Sequence, residues 1–385
     1  MAGFVEKMKK LKWKHYTSYI VIAVVAALFS ALTLAGSLPQ SMLYLLEKIT
    51  MNIILAVSLS LVVGFLGELS LGHAGFMCIG AYMGGKVACY MDKVVDGDGV
   101  LSFLVALVVG AAIAGVFGFV IGLPALRLKG DYLAIVTLAF GEIVKTVFEN
   151  TSTDTFGGPV GLRTPRFDKQ YLFIIGFLLV LATVFVIQNL IRSKHGRAIT
   201  AIRDNEIAAR ATGINVTKYK LVGFIISAAF AGVAGVFYSF ANSTVSASVF
   251  DYNYSIEILI MVVIGGMGSI SGSIISATVI TYINTQLQTV LTGDLAVLKD
   301  IIYALVLVLI IIYNNAPALR SFREKYNLKN LLGLVFKHRN DPSAIKDDEG
   351  AWDRVPTKID MDEVLSVDLK ADTSVMTPDK EEKPE

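Results

Sequence analysis

The sequence predicts an all-α polytopic membrane protein with about ten transmembrane helices, some of them broken by glycine. Of its 385 residues, 54% are apolar and 17% are charged, whereas an average soluble domain is about 25% charged. The charges also concentrate at the ends, because residues 19–313 carry 33 of the 66 charged side chains. This distribution excludes a soluble multi-domain enzyme, and it excludes a disordered chain except in the tail.

Apolar segments close to the length of about 20 residues that a membrane helix needs recur along the chain. Five lysines precede the first of them, whose apolar core is longer than that of a cleavable signal peptide, so we expect an uncleaved helix. One long apolar stretch is interrupted by GGMGSISG and is interpreted as two helices. The predicted spans are 19–36, 43–66, 69–90, 101–123, 131–149, 171–191, 219–240, 255–267, 270–290 and 298–313.

The distribution of lysine and arginine predicts that both termini are cytoplasmic. With that orientation, the inner loop 192–218 holds six basic residues, and the outer segment 91–100 holds three aspartates and one lysine. The outer loop 150–170 has mixed charge. Two termini on one side require an even number of spans, which agrees with ten.

Composition divides the chain into a basic cytoplasmic N-terminus (1–18), a transmembrane domain (19–313), a basic juxtamembrane segment (314–340) and an acidic tail (341–385). Leucines on one helical face of the juxtamembrane segment predict a helix that either lies on anionic membrane lipid or packs against the bundle. The tail has fourteen acidic and six basic residues. We expect it to be disordered.

Motifs for bond-breaking chemistry are missing from the sequence. It contains no phosphate-binding loop, no nucleophile elbow and no zinc-protease motif. We therefore expect no catalytic residue, metal or cofactor in this chain. Cys78 and Cys89 lie in one apolar stretch and are interpreted as packing residues. The net charge of +2 gives no indication of nucleic-acid binding.

Small residues at four-residue spacing predict helices that pack closely in lipid, where close backbone approach stabilises association. Gly80 and Gly84 form one such pair, and Ala228 and Gly232 form another. This pattern indicates a many-helix bundle and no particular function.

Two glycine clusters predict interrupted helices whose backbone lines a polar path. The first is GFLGELSLGHAGF at 64–76 and the second is GGMGSISG at 265–272; both contain G-x-x-G-x-x-S, either as a trace of an internal repeat or by chance. His73 is either a hydrogen-bonded packing residue or a path-lining residue. The candidate path residues in these clusters are Glu68, Ser70, His73, Gly265, Gly266 and Gly268.

Three ionisable residues share one face of the predicted fifth span. Glu142, Lys145 and Glu149 are spaced at i, i+3 and i+7, and charges inside a span need partners or a wet cavity. They form either a self-neutralising ladder that faces the bundle interior or one border of the path of a charged or zwitterionic solute. Glu142 and Lys145 are the candidates for the second role.

The inner loop contains an alanine-rich helical window over 198–212. Gly213 supplies a helix stop, Glu206 and Arg210 form an i, i+4 pair, and Asn215 or Thr217 could cap the next span. Small side chains and charges suit a helix that docks in a groove of another protein. The alternative is a solvated surface helix.

This segment resembles the cytoplasmic coupling loop of ABC importer permeases, which contains E-A-A-x-x-x-G. Here Ala208, Ala209 and Gly213 match, and the acid stands one position early at Glu206. The string EIAARATGINVTKYKL resembles the variant of branched-chain amino acid permeases. Similar matches over about 52–290 are NIILAVSLSLVVGFLGELSLGHAGFMCIGAYMGG, GDYLAIVTLAFGEIVK, FGGPVGL and IGGMGSISGS. The chain thus resembles the larger of the two permeases of that importer family.

The resemblance implies an ABC importer permease fold in a bacterial or archaeal cytoplasmic membrane. It implies a second homologous permease, two ATPase subunits that hydrolyse ATP, and an extracytoplasmic solute-binding protein as partners. The solute would be leucine, isoleucine or valine; the alternatives are a urea or short-amide importer and a stand-alone ion-coupled transporter. The implied ATPase-coupling residues are Gly196, Arg197, Arg203, Asp204, Glu206, Ala208, Ala209 and Gly213.

Overall fold

The computed structural model describes residues 39–94, 99–128, 130–165 and 169–290, with isolated positions at 29, 30, 33, 305 and 308. All of them fall in the first of two compact units, Met1–Asn315. Several predictions lie outside the described residues. They concern the basic N-terminus 1–18, most of the spans 19–36 and 298–313, the juxtamembrane segment 314–340 and the tail 341–385.

The described segments are helices joined by short connections, which confirms the all-α prediction. A π-helical segment, Leu61–Leu66, continues α1, and two 3-10 turns occur at Gly158–Val160 and Ala247–Val249. The helices are α1 Gln40–Ser60, α2 His73–Val94, α3 Gly99–Ala125, α4 Asp131–Glu149, α5 Thr153–Phe156, α6 Lys169–Arg192, α7 Lys194–Asp204, α8 Glu206–Ala211, α9 Val216–Ala241, α10 Tyr252–Gly265 and α11 Ile270–Val290.

Two short strands, β1 (Leu162–Arg163) and β2 (Thr244–Val245), pair antiparallel, with Leu162 opposite Val245. They join the connection after α5 to the connection after α9. Each strand has only two residues, so the pair does not form an extended sheet and only connects the two loops.

Within the part of the chain that the structure describes, four segments are long and apolar enough to cross a membrane by length and composition: Gln40–Leu66, Gly99–Ala125, Leu172–Arg192 and Val216–Ala241. In water, Gly99–Ala125 and Leu172–Arg192 would expose a continuous apolar surface, because only 28% and 33% of their most apolar windows are buried in the protein. The chain is therefore an all-α polytopic membrane protein.

Predicted and observed helix limits agree within a few residues for most spans from 43 to 290. The third span starts four residues later than predicted, at His73, because residues 67–72 have no regular structure. The prediction of one helix over 198–212 was wrong. Asn205 has an extended conformation (φ −159°, ψ 104°) that ends α7 and begins α8.

The centre of the bundle is α9, which packs against α1, α2 and α3. The small residues predicted to pack closely lie at these contacts. A Cβ on Gly80 would lie 2.2 Å from the carbonyl oxygen of Gly232, so α2 and α9 touch through their backbones. This close approach replaces the hydrophobic driving force that lipid does not supply.

Candidate functional site

The first glycine cluster forms the predicted helix break. The π-helical segment that follows α1 ends at Gly67, whose φ of 78° is left-handed and suits glycine. The backbone N–H of Glu68 donates to the carbonyl oxygen of Val62 (3.1 Å) and closes the turn. The chain then runs without regular structure to His73, where α2 begins.

The second glycine cluster forms the predicted turn between α10 and α11. Gly266 and Gly268 both have positive φ angles, of 89° and 84°. A Cβ on Gly265 would lie 2.5 Å from the carbonyl carbon of Gly272, so the two helices leave the turn in close contact. Both sequence predictions of interrupted helices are thus confirmed, and the second break holds Gly266 and Gly268 in one turn that starts directly after Gly265.

The two breaks are in direct contact, although about 200 residues separate them in the sequence. A Cβ on Gly64 would lie 2.4 Å from the backbone nitrogen of Gly268. Real Cβ atoms do not come this close to backbone, so position 64 requires glycine. The glycine clusters in the sequence predict each break, but no sequence pattern predicts that one break lies against the other.

Side-chain caps define the two helices of the inner loop. Ser193 Oγ accepts hydrogen bonds from the N–H groups of His195 and Gly196, at 3.1 and 3.3 Å. Asn205 Oδ1 accepts from the N–H groups of Ile207 and Ala208, both at 3.0 Å. These are ordinary N-caps, and they divide the segment into α7 and α8.

The end of α8 follows the prediction. Gly213 adopts a φ of 84° next to the last residues of the helix, and Asn215 Oδ1 accepts from Lys218 N at 3.1 Å to cap α9. Arg210 pairs with Glu206 at 2.6 Å. On this short helix Ala209 is buried, while Ala208 is exposed.

A buried lysine joins the inner loop to the first break. Lys220 Nζ, on the first turns of α9, lies 3.1 Å from Glu206 Oε2 and also pairs with Glu68 Oε1. The Lys220 side chain is 6% exposed. Because Glu206 also pairs with Arg210, four charges of alternating sign run from the break to the surface of α8.

An arginine makes a second link between the same elements. Arg203 Nη1 donates to the carbonyl oxygen of Gly64 at 2.9 Å, and its guanidinium pairs with Asp204 at 3.0 Å. Its stem covers Gly67, where a Cβ would lie 2.7 Å from Arg203 Cγ, and its Nη1 lies 3.4 Å from a Cβ position on Gly268. Arg203 therefore contacts both helix breaks.

Two other predicted coupling residues, Gly196 and Arg197, lie in the first turn of α7. Arg197 is exposed, whereas Gly196 is buried, with a Cβ position 2.1 Å from the carbonyl oxygen of Ile191. Lys220 was missed, although it lies inside the predicted span 219–240. The signal for Lys220 was available in the sequence, because a lysine inside an apolar span needs a partner of opposite charge.

His73 has the contacts of a packing residue. Its Nε2 lies 2.8 Å from Ser58 Oγ in a buried part of the bundle. The carbonyl oxygen of Ser58 accepts from Ser227 Oγ at 2.7 Å, so α1, α2 and α9 meet at a group of satisfied polar atoms. Ser70 is also buried. This geometry favours the packing interpretation.

Glu142 and Lys145 form the predicted pair, with 3.6 Å between Nζ and Oε2. The pair is only partly buried, because the side chains of Lys145 and Glu142 are 21% and 34% exposed. Glu142 Oε1 also accepts from the backbone N–H of Tyr252 at 2.9 Å. Since Tyr252 starts α10, the carboxylate binds an N–H that a helix terminus leaves without an intrahelical partner.

The sequence predicted two sets of site residues, the coupling residues and the path residues. The structure brings only some members of the two sets into contact. Residues of the inner loop contact the glycine breaks through Arg203, Glu206 and Lys220. Glu142, Lys145 and His73 lie in other contacts of the bundle. Charged side chains thus hold the two helix breaks against α7 and α8. A movement of α7 and α8 would be passed to the breaks through these contacts.

Comparisons with known proteins identify the family. A family model described as "Branched-chain amino acid transport system / permease component" matches residues 41–311. The permease protein LivM of the high-affinity branched-chain amino acid transport system of Escherichia coli K12 is 35% identical over 310 residues, which cover 72% of this chain and 70% of that protein.

Other relatives show the range of the family. The corresponding LivM protein of Salmonella typhimurium is 37% identical over 61% of this chain and 61% of its own length. The ribose import permease RbsC of Escherichia coli K12 is 26% identical over 77% of this chain and 92% of its own length. No solved structure matches the chain. This chain belongs to the family of permease components of branched-chain amino acid transport systems.

Proposed function

We propose that this chain is the transmembrane permease subunit of an ATP-driven importer of branched-chain amino acids. Family membership and the printed function of the LivM relatives support the solute class. The observation that carries the coupling part of the proposal is the double link from α7 and α8 to the helix breaks. Arg203 reaches Gly64, and Lys220 joins Glu206 to Glu68.

In this proposal α7 and α8 dock on a partner ATPase. Ile207 on α8 is 81% exposed, and in this proposal the partner buries it in a groove. Ala208 and Arg197 lie on the exposed surface of the same element. Ile202 of α7 and Ala209 of α8 are buried in one cluster with Val216 of α9, and in this proposal that packing makes Arg203 and Glu206 move together when the partner pulls on the two helices.

The pull would reach the membrane domain through the breaks. Glu68, Gly266 and Gly268 lie on irregular backbone and Gly265 ends α10 beside it; such backbone changes conformation more easily than a hydrogen-bonded helix. A rotation there would redirect α1 and α11 and alternate the side to which the path opens. Driving an equilibrium from 1:99 to 99:1 needs about 5.5 kcal/mol, which ATP binding and hydrolysis on the partners would supply.

The complete system would contain two ATPase subunits, a second homologous permease and an extracytoplasmic solute-binding protein. Both termini would be cytoplasmic in the cytoplasmic membrane of a bacterium or an archaeon. The connection 150–165 would meet the binding protein. It is held to α2 by Lys86, whose Nζ donates to the carbonyl oxygen of Thr155 at 2.5 Å.

The test is ATP-dependent uptake by the purified complex in proteoliposomes. We expect uptake of leucine, isoleucine or valine when the binding protein is present, and none of urea or ribose. Gly213→Pro and Ala208→Glu should leave assembly intact but separate ATP hydrolysis from uptake. Ala211→Ser, an exposed change on the same helix, is the matched control. Concentrative uptake by the chain alone without ATP would contradict the proposal.

A further inference from the structure

A partly enclosed cavity of about 260 Å³ lies at the end of α9 that is opposite to the coupling helices. It is bounded by the start of α1, the end of α9, the start of α10 and the end of α11. Pockets for small organic ligands typically start at about 300 Å³. At about 260 Å³ this cavity lies just below that range, so its size suits a free amino acid rather than a nucleotide or a disaccharide.

Charges of both signs line the cavity. Glu47 and Lys48 come from α1, and Glu257 comes from α10. Glu47 is 3% exposed and both of its carboxylate oxygens are buried in the wall, so the charges that a ligand in the cavity would meet are those of Lys48 and Glu257. A ligand that carries one ammonium and one carboxylate group would find a complementary charge for each, and charge-assisted hydrogen bonds are the strong ones.

Hydrogen bonds hold the polar wall in place before any ligand arrives. Asn284 Nδ2 donates to Glu257 Oε1 at 2.7 Å, and Gln288 Nε2 donates to Asn284 Oδ1 at 3.2 Å. Tyr254 donates its hydroxyl to Asn52 Oδ1 at 2.8 Å behind this wall. A positioned polar wall lowers the ordering cost of binding.

The remaining lining is apolar. Met51, Met77 and Phe237 face the cavity, and all three are buried. Methionine adapts its shape to different branched side chains. An aliphatic group would therefore be accepted opposite the charged wall, which separates this cavity from a site for an inorganic ion.

We infer that this cavity binds a zwitterionic α-amino acid with an aliphatic side chain. The carboxylate of Glu257 receives the ammonium group, Lys48 receives the carboxylate group, and the methionines and Phe237 form the apolar side of the site. The inference rests on the proposed function and adds a binding site within this subunit. It makes the permease itself a selective step after the binding protein has released the solute.

The experiment measures binding of radiolabelled L-leucine to the full-length chain, purified with its partner subunits in nanodiscs and without the binding protein. Two analogues each lack one charge: 3-methylbutan-1-amine has the ammonium group, and 4-methylpentanoate has the carboxylate. We expect valine and isoleucine to compete with leucine at concentrations at which neither analogue does. Equal competition by the amine would show a cation site and would overturn the inference.

Variants test the residues. Glu257→Gln removes the charge but keeps the oxygen that accepts from Asn284, and Lys48→Met keeps the apolar stem. Each should weaken leucine binding about tenfold or more, since a hydrogen bond to a charged group contributes roughly 1.5–3 kcal/mol. Glu257→Asp, which keeps the carboxylate, should retain part of the affinity. Asp92→Asn, an exposed change of the same kind, should leave binding unchanged.

The outcomes separate this inference from the proposed function. Size-exclusion profiles and thermal unfolding first establish that each variant is folded, and Glu257→Asp replaces Glu257→Gln if the latter is not. If the wild-type complex takes up leucine with ATP but binds no leucine in the radioligand assay, the proposed binding site is wrong and the proposed function stands. Unchanged leucine affinity in folded Glu257 and Lys48 variants would also overturn it. Absence of any branched-chain uptake would overturn the proposed function.

Discussion

Arg203 Nη1 lies 2.9 Å from the carbonyl oxygen of Gly64, across 139 residues of sequence. The arginine belongs to the inner loop, and the carbonyl belongs to a π-helical segment in which a membrane-spanning helix ends. One side chain therefore connects an element at the surface of the bundle to a point where the helix backbone is irregular. This contact makes the coupling proposal testable residue by residue.

Replacing Arg203 with methionine keeps its stem on Gly67 and removes the hydrogen bond to Gly64. Because the side chain is 36% exposed, we expect a small effect on stability. ATP hydrolysis should continue while uptake per ATP falls about tenfold, because the hydrogen bond that would transmit the movement of α7 to the first break is lost. Parallel assays of phosphate release and uptake in proteoliposomes measure this ratio. The control is Lys194→Met on the exposed start of α7, and an unchanged ratio in Arg203→Met would argue against the link.

Replacing Lys220 with methionine leaves Glu68 and Glu206 without their shared cation. Removing one partner of a buried ion pair costs about 3–5 kcal/mol, so we expect a clear loss of thermal stability. Adding Glu68→Gln to the same chain should restore part of it, which a double-mutant cycle measures. Lys218→Met, an exposed change two residues away, should shift stability by less than about 0.5 kcal/mol. Equal effects of the two lysine variants would contradict the buried network.

The contact between the breaks predicts different outcomes for two glycine-to-alanine changes. Gly64→Ala would place a methyl group 2.4 Å from backbone nitrogen at Gly268, so we expect folding and membrane abundance to fall sharply. Gly223→Ala on α9 meets nothing closer than 3.9 Å, and it should be neutral or stabilise by about 0.5–1 kcal/mol. Abundance in membranes and thermal unfolding of the purified chain measure both. A stable, active Gly64→Ala chain would show that the two breaks are not in contact.

Two substitutions of Glu142 test whether this residue stabilises the start of α10 or borders the solute path. Glu142→Gln keeps an oxygen for the N–H of Tyr252, whereas Glu142→Ala removes it. We expect Glu142→Ala to lower stability by about 1 kcal/mol, the typical value of a helix cap, while Glu142→Gln retains both stability and transport. Unfolding midpoints and the KM of uptake, measured for both variants, test this. A changed KM in a stable Glu142→Gln chain would favour the path interpretation instead.

Local signals predicted most of the helices and both interruptions. Apolar length identifies spans because lipid imposes the length, and glycine clusters identify breaks because glycine lacks a Cβ. Gly213 and the Glu206–Arg210 pair were predicted for the same reason: each depends on residues within one turn. The prediction of one continuous helix over 198–212 was wrong because it relied on the alanine-rich composition. It took no account of Asn205, whose side chain caps a new helix.

The sequence by itself determined that this chain lies in a membrane, where its helices stop, and which family it resembles, because these properties are local or recur as short motifs. The tertiary structure decided which residues meet: Gly64 with Gly268, Lys220 with Glu68 and Glu206, and Glu142 with the start of α10. The physical reason is that a close approach or a buried ion pair needs a partner from another helix. Periodicity within one helix carries no information about which partner that is.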